Sequence, residues 1–249
     1  MNNGDAYTES FQKRGSKYDK AMKLVPESRR EEFMAVTEEL SSLGGGIVLD
    51  VPAGGGYLRE YLPARFKHQP YEQVSSFQGF PGDATDCGLL PFPQSSESID
   101  AVLSVAGVHH FGDKLPFFNE MARVTKPEGY LVLADVHRDS PVAQFLDGYI
   151  NTHNSTGHKG YYLDDKSLEE LNMCGWNVVS ANRKHYHWIF NSLHQMARYC
   201  HLLFDIRHTN YAQTSEQIER ELGIDRLSQG RVGMRWDLYV IRAEKRIAS

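Results

Sequence analysis

Ile47-Val48-Leu49-Asp50-Val51-Pro52-Ala53-Gly54-Gly55-Gly56 is the stretch that decides how this chain is read. Three apolar residues favouring extended backbone run into a carboxylate, then into a glycine-rich turn, and a helical segment starts near Tyr57. Such a run predicts a buried strand, a turn and a helix. Glycines at the turn let the backbone approach a ligand closely, because no side chain intervenes. The stretch has no full G-x-G-x-x-G and places an acid at the strand end, which points away from a dinucleotide. A pyrophosphate needs bare helix N–H groups, whereas a ligand carrying an ammonium or sulfonium charge tolerates a nearby carboxylate.

Working outward, the first core strand spans 46–51, and Pro63 limits the short helix that puts Leu58 and Leu62 on one face. Strands are expected at 71–77, 99–105 and 129–136, with a helix between the last two opened by Asp113 and Pro116 and stopped at Lys126-Pro127-Glu128-Gly129. Alternating strands and helices predict a parallel sheet with helices on its faces. Helical segments at 140–152 and 164–173 follow, then a long strand at 176–190, a largely helical stretch at 191–230 and a last strand from Val232 to Ala243. Upstream, residues 1–43 form a polar-amphipathic leader in which Phe33, Val36 and Leu40 recur at helical spacing. The reading is one domain over 1–249, made of the leader, a ligand-binding core at 44–136 and a second half at 137–249 that carries a cap at 191–230.

The chain has 249 residues, 41% of them hydrophobic and 24% charged, enough for one large core. Its net charge of −5 carries no nucleic-acid footprint. Cys87, Cys174 and Cys200 are odd in number and share no metal-type spacing, so buried thiols in a reducing compartment are expected. The polar start and the lack of any long apolar run give a cytoplasmic expectation, with no membrane partner.

Several segments together resemble the class I S-adenosylmethionine-dependent methyltransferases, in particular the small-molecule branch that includes quinone C-methyltransferases. Ile47 to Gly56 is similar to that family's first motif, and Gly82-Asp83-Ala84 with Leu90-Pro91-Phe92 to its adenine-side motif. Ser98-Ile99-Asp100-Ala101-Val102 through His109-His110-Phe111 resembles the fourth strand and its loop, and Asn119 to Gly129 the helix and turn before the fifth. Tyr18-Asp19 is similar to a lid segment. The resemblance covers about residues 45–136 and implies a Rossmann-like, doubly wound α/β sheet with an antiparallel last strand and a helical insertion between the last two strands.

It also implies S-adenosylmethionine as cofactor and a small-molecule acceptor. Asp50, Pro52, Ala53, Gly54 and Gly56 would form the cofactor cradle, Glu72 the ribose acid, Asp83 and Ala84 the adenine contacts, and Ser104 and Val105 the strand-end contacts. Tyr18 would close over the sulfonium, where an aromatic face suits a cation. Pro52 replaces the family's first glycine, and only ten residues separate Glu72 from Asp83. A crossover helix and a paired strand need more than that, so the third, edge strand is expected to be missing or vestigial.

His109 and His110 lie just past the fourth strand, at the edge where open α/β sheets bind ligands. Imidazoles titrate near neutrality, so either residue is a candidate general base, beside the plainer reading that they pack the loop. His194, His201 and His208 recur every seventh residue, too far apart along a helix to share a zinc ion, and His185 and His187 lack a third ligand, so no metal is assigned. Tyr149, Tyr161, Tyr162, Tyr199, His201, Phe204 and Arg207 are acceptor-pocket candidates, although a plain core or a homodimer face explains them equally well. Two rival functions remain: a catalytically silent cofactor-binding module and a nicotinamide oxidoreductase.

Overall fold

A computed structural model describes residues 5–74 and 89–247, with side chains from residue 15 onward. Two helices lead, α1 (Asp5–Leu24) and α2 (Arg30–Thr37), followed by β1 (Val48–Asp50), β2 (Tyr71–Gln73) and β3 (Ile99–Val105). Next come α3 (Leu115–Val124), β4 (Thr125–Asp135) and a broken helix of α4 (Pro141–Phe145), a π-helical turn (Leu146–Ile150) and α5 (Asn151–His153). The chain then runs through α6 (Asp165–Met173), β5 (Trp176–Phe190), α7 (Leu193–Leu203), α8 (Tyr211–Glu221), β6 (Ile224–Arg226) and β7 (Val232–Lys245).

The sheet order is β2-β1-β3-β4-β7-β5, with β6 also paired to β7. β1, β2, β3 and β4 pair in parallel, and β7 runs antiparallel to each of β4, β5 and β6. This is the expected Rossmann-like sheet with a reversed last strand. Alternation along the strands splits the core in two. Val48, Leu103, Val132, Trp188, Trp236 and Val240 pack on one face with α2 and α7, while Leu49, Val102, Leu131, Trp176 and Ile241 pack on the other with α3.

Some local expectations change. Expected as a leader, residues 5–24 form the long helix α1, which packs on α7. The 191–230 cap is not helical throughout, since Ile224–Arg226 adds a strand to β7. α3 starts one residue late: Asp113 Oδ1 accepts from Leu115 N at 3.0 Å, and Pro116 sits in the first turn. β2 ends at Gln73, and the segment expected to hold the third strand, together with Asp83, Ala84 and Cys87, lies outside the described residues.

Lys126 to Gly129 bulge out of the β3–β4 pairing, where the register jumps from Ile99–Thr125 to Ala101–Tyr130. Glycine is required at 129, because a Cβ there would stand 2.6 Å from Thr125 Cγ2 and 3.0 Å from Asp100 O.

Candidate active site

The glycine turn lies at the carboxyl end of β1. Gly54 and Gly56 take left-handed φ values of 54° and 72°, and a Cβ on Gly56 would sit 2.0 Å from the Gln73 amide nitrogen. The Val51–Pro52 bond is cis, and Gly107 leaves room for the proline ring: a Cβ at 107 would stand 2.4 Å from Pro52 Cγ.

Asp50 is buried at the strand end and accepts a hydrogen bond from Tyr71 OH at 2.6 Å. Burial pushes its carboxyl up to about 7, with the Tyr71 bond pulling the other way. Among the described residues no lysine or arginine forms an ion pair with it. A buried carboxylate without a cation, next to a turn stripped of side chains, fits a ligand that brings its own positive charge.

A cleft lined by Tyr18, Asp50, Pro52, Ala53, Gly54 and Val105 opens over this turn. A second cavity, of about 650 Å³ with its open mouth included, adjoins it and shares Tyr18, Arg29 and Ala106 with it. Ala106 follows β3 at a left-handed φ of 50°, which turns the chain into the histidine loop. His109, His110 and His158 line one end of this cavity, and Trp188, Phe204, Trp236 and Leu238 line the rest.

His109 is held tightly. Its Nδ1 lies 2.7 Å from Asp135 Oδ1, and its backbone N–H donates to Asp135 Oδ2 at 3.1 Å. Asp135 is fully buried, which alone would raise its pKa. The His109 imidazole and the N–H groups of Val136 and His109 outweigh that and hold the carboxyl below its usual range. The His110 ring centroid lies 4.1 Å from that of His109.

Not every expected residue reaches the clefts. Parallel pairing puts Glu72 beside Leu49 and Gln73 beside Asp50, so Glu72 faces the opposite side of the sheet from Asp50, where it accepts from Gln94 at 3.0 Å. Gln73 takes the place against Gly56. Ser104 is buried on the same side as Val102, and its hydroxyl has no hydrogen-bond partner among the described residues. Of the cap candidates, Phe204 alone lines the cavity. Tyr199 is in the core with its hydroxyl on Met22 S, His201 and Tyr149 bond Thr214, Tyr161 is exposed, and Arg207 pairs with Asp205. Tyr162 stays near the site, bonded to Asp147 at 2.6 Å.

Sequence reading missed Arg29, Asp135, His158, Trp188 and Trp236. Asp135 carried the same signal as Asp50, an acid closing an apolar strand. Tyr186, Trp188 and Phe190 alternate along β5, and Met234, Trp236 and Leu238 along β7, a period-two pattern that marks one shared face. Arg29 and His158 gave no local signal.

Residues 49–133 match the model of a methyltransferase domain. This match and the fold support methyl transfer with S-adenosylmethionine as cofactor. One curated relative is the uncharacterized methyltransferase YcgJ of Bacillus subtilis, 28% identical over 154 residues, or 56% of this chain and 57% of that protein. The chain thus spans a little over half the length of that relative.

Solved structures agree in fold. That of YcgJ matches with a TM-score of 0.55 at 14% identity, covering 88% of this chain and 100% of that one. An S-adenosylmethionine-dependent methyltransferase from Thermotoga maritima matches at 0.52 and 13% identity, covering 96% and 100%. Among the described residues no helix is long and apolar enough to cross a membrane, and no cluster of three or more His, Cys, Asp or Glu is placed to hold a metal ion.

Proposed function

We propose that this protein transfers the methyl group of S-adenosylmethionine to a small-molecule acceptor. One observation carries the reading: the cleft over the glycine turn and the larger cavity adjoin, sharing Tyr18, Arg29 and Ala106. A donor seated beside Asp50 and Gly54 would present its reactive end across that junction. Bound S-adenosylmethionine supplies an electrophilic methyl group and a neutral thioether leaving group, so the protein's task is alignment, exclusion of water and proton removal.

Asp50 balances positive charge on the donor, the glycine turn admits its backbone-facing side, and Tyr18 covers the junction. His109, oriented by Asp135, and its neighbour His110 take the acceptor's proton. The domain reading is a single unit over residues 1–249, with 191–230 capping the acceptor side. Cytoplasmic residence fits the free, buried thiols of Cys174 and Cys200.

Calorimetric titration of the full chain with S-adenosylmethionine and, separately, with a nicotinamide dinucleotide tests the assignment. Binding of the first alone supports it. Preference for the dinucleotide overturns it, and donor binding without product across a broad acceptor panel supports the silent module.

A further inference from the structure

Two carboxylate–imidazole pairs converge on the larger cavity. Beside Asp135–His109 stands His158, whose Nδ1 lies 3.4 Å from Asp147 Oδ1. The same oxygen accepts from Tyr162 OH at 2.6 Å and Gly160 N at 2.9 Å. Asp147 is held below the usual carboxylate range: burial opposes this, but His158, Tyr162 and Gly160 outweigh it. His158 belongs to a segment strapped across the strand ends, where Tyr161 N donates to His109 O at 2.7 Å and Leu163 N to Val136 O at 3.0 Å. Its ring lies 5.5 Å from that of His109 and 6.0 Å from that of His110.

Three aromatic rings also line the cavity. Trp188 and Trp236 stack at 4.3 Å and 24°, and Phe204 lies nearly parallel to both, at 16° and 23°. Arg29 is the one lysine or arginine among the described residues lining the cavity. It is already paired with buried Glu32, hydrogen-bonded to Tyr18 and laid over the Trp188 ring at 4.9 Å.

We infer that the acceptor is an uncharged, flat aromatic compound bearing an ionisable hydroxyl, its ring against Trp188 and Trp236 and its hydroxyl among His109, His110 and His158. This rests on the methyl-transfer reading. A lining of Trp188, Phe204 and Trp236 favours an aromatic, apolar partner. A carboxylate or phosphate would meet two aspartate-backed histidines and an arginine that Glu32 has neutralised, so an anion gains little here. A hydroxyl suits the imidazoles. The acceptor oxygen's lone pair forms the new O–C bond, the C–S bonding pair remains on sulfur, and the hydroxyl proton passes to an imidazole nitrogen whose charge Asp135 or Asp147 compensates.

The test is calorimetry on the full chain saturated with S-adenosylhomocysteine, titrated with 2-naphthol, 2-naphthoate and decahydro-2-naphthol. The expected result is 2-naphthol binding at least tenfold tighter than either other compound. Trp188→Leu and His158→Gln should each weaken it at least fivefold without changing S-adenosylhomocysteine affinity. Equal or tighter binding of the naphthoate or of the saturated alcohol, or no binding of 2-naphthol, overturns the acceptor class. Failure of S-adenosylhomocysteine itself to bind, measured in a separate titration, instead refutes the methyl-transfer reading.

Discussion

His109 Nδ1 and Asp135 Oδ1 lie 2.7 Å apart at the carboxyl ends of two neighbouring parallel strands, with Asp135 sealed from solvent. Such a carboxylate fixes both the tautomer and the orientation of the ring, leaving Nε2 to meet the acceptor. Replacing Asp135 with Asn keeps an acceptor oxygen but removes the charge that supports a protonated ring. Turnover of Asp135→Asn should fall by about 10²-fold or more, with S-adenosylmethionine affinity within twofold of the parent. Equal turnover in a steady-state assay would remove His109 from the chemistry.

The same pair makes stability depend on pH. The folded-state pKa of Asp135 lies below its unfolded value, so its contribution is present above the unfolded pKa and is lost as pH falls through the folded one. Asp147, also lowered, acts in the same direction. Melting temperature should drop steeply below about pH 4, and less steeply in Asp135→Asn. Parallel acid profiles for both proteins would contradict this.

Asp50 acts with the opposite sign. Its folded pKa is raised from 3.8 to about 7 by burial, so the free protein loses stability as pH rises from about 4 to 7. Asp50→Asn preserves the Tyr71 hydrogen bond without the buried charge. It should be more stable than the parent at pH 8 by on the order of 4 kcal/mol and no more stable at pH 3.5, by denaturant titration. Donor affinity of the parent should fall as pH drops below about 7, because the protonated acid no longer offsets the sulfonium.

Arg29 and Glu32 are buried together, and Trp188 Nε1 donates to Glu32 at 2.6 Å. Arg29→Met leaves a carboxylate without its cation and should cost about 3–5 kcal/mol. The double change Arg29→Met, Glu32→Met should recover most of that loss in urea unfolding. Equal losses in single and double variants would mean that packing, and not charge, sets the penalty.

Gly56→Ala forces a side chain into a left-handed backbone and against the Gln73 amide. A stability loss of about 1–2 kcal/mol or more is expected, together with weaker donor binding. Gly44, where a Cβ meets nothing within 4 Å among the described residues, is the control, and Gly44→Ala should change neither.

The strands and the glycine turn were legible in the sequence because each left a local trace, and the reversed last strand followed from the family resemblance. Apolar runs marked the strands, and acid-then-glycine marked the turn. Residues whose roles come from distant pairing were not legible. Glu72 stood at the right spacing from Asp50 but on the wrong side of the sheet, because register fixes which alternate residues share a face. Lys17 reaches Asp205 after α7 and ties the first helix to the cap, a pairing with no local signal in the sequence. Alternation marked the face that Trp188 and Trp236 share, but not the antiparallel register of β5 and β7 that brings the two rings together.

The central claim is that the cleft over Asp50 and Gly54 seats the methyl donor with its reactive end turned toward Ala106 and the histidine-lined cavity. A crystal structure of the chain soaked with S-adenosylhomocysteine tests it directly. The account predicts the ligand against Asp50, Gly54 and Tyr18, its sulfur facing the cavity lined by His109 and Trp188. Density for the ligand elsewhere, or a cleft left empty at saturating concentration, would contradict it.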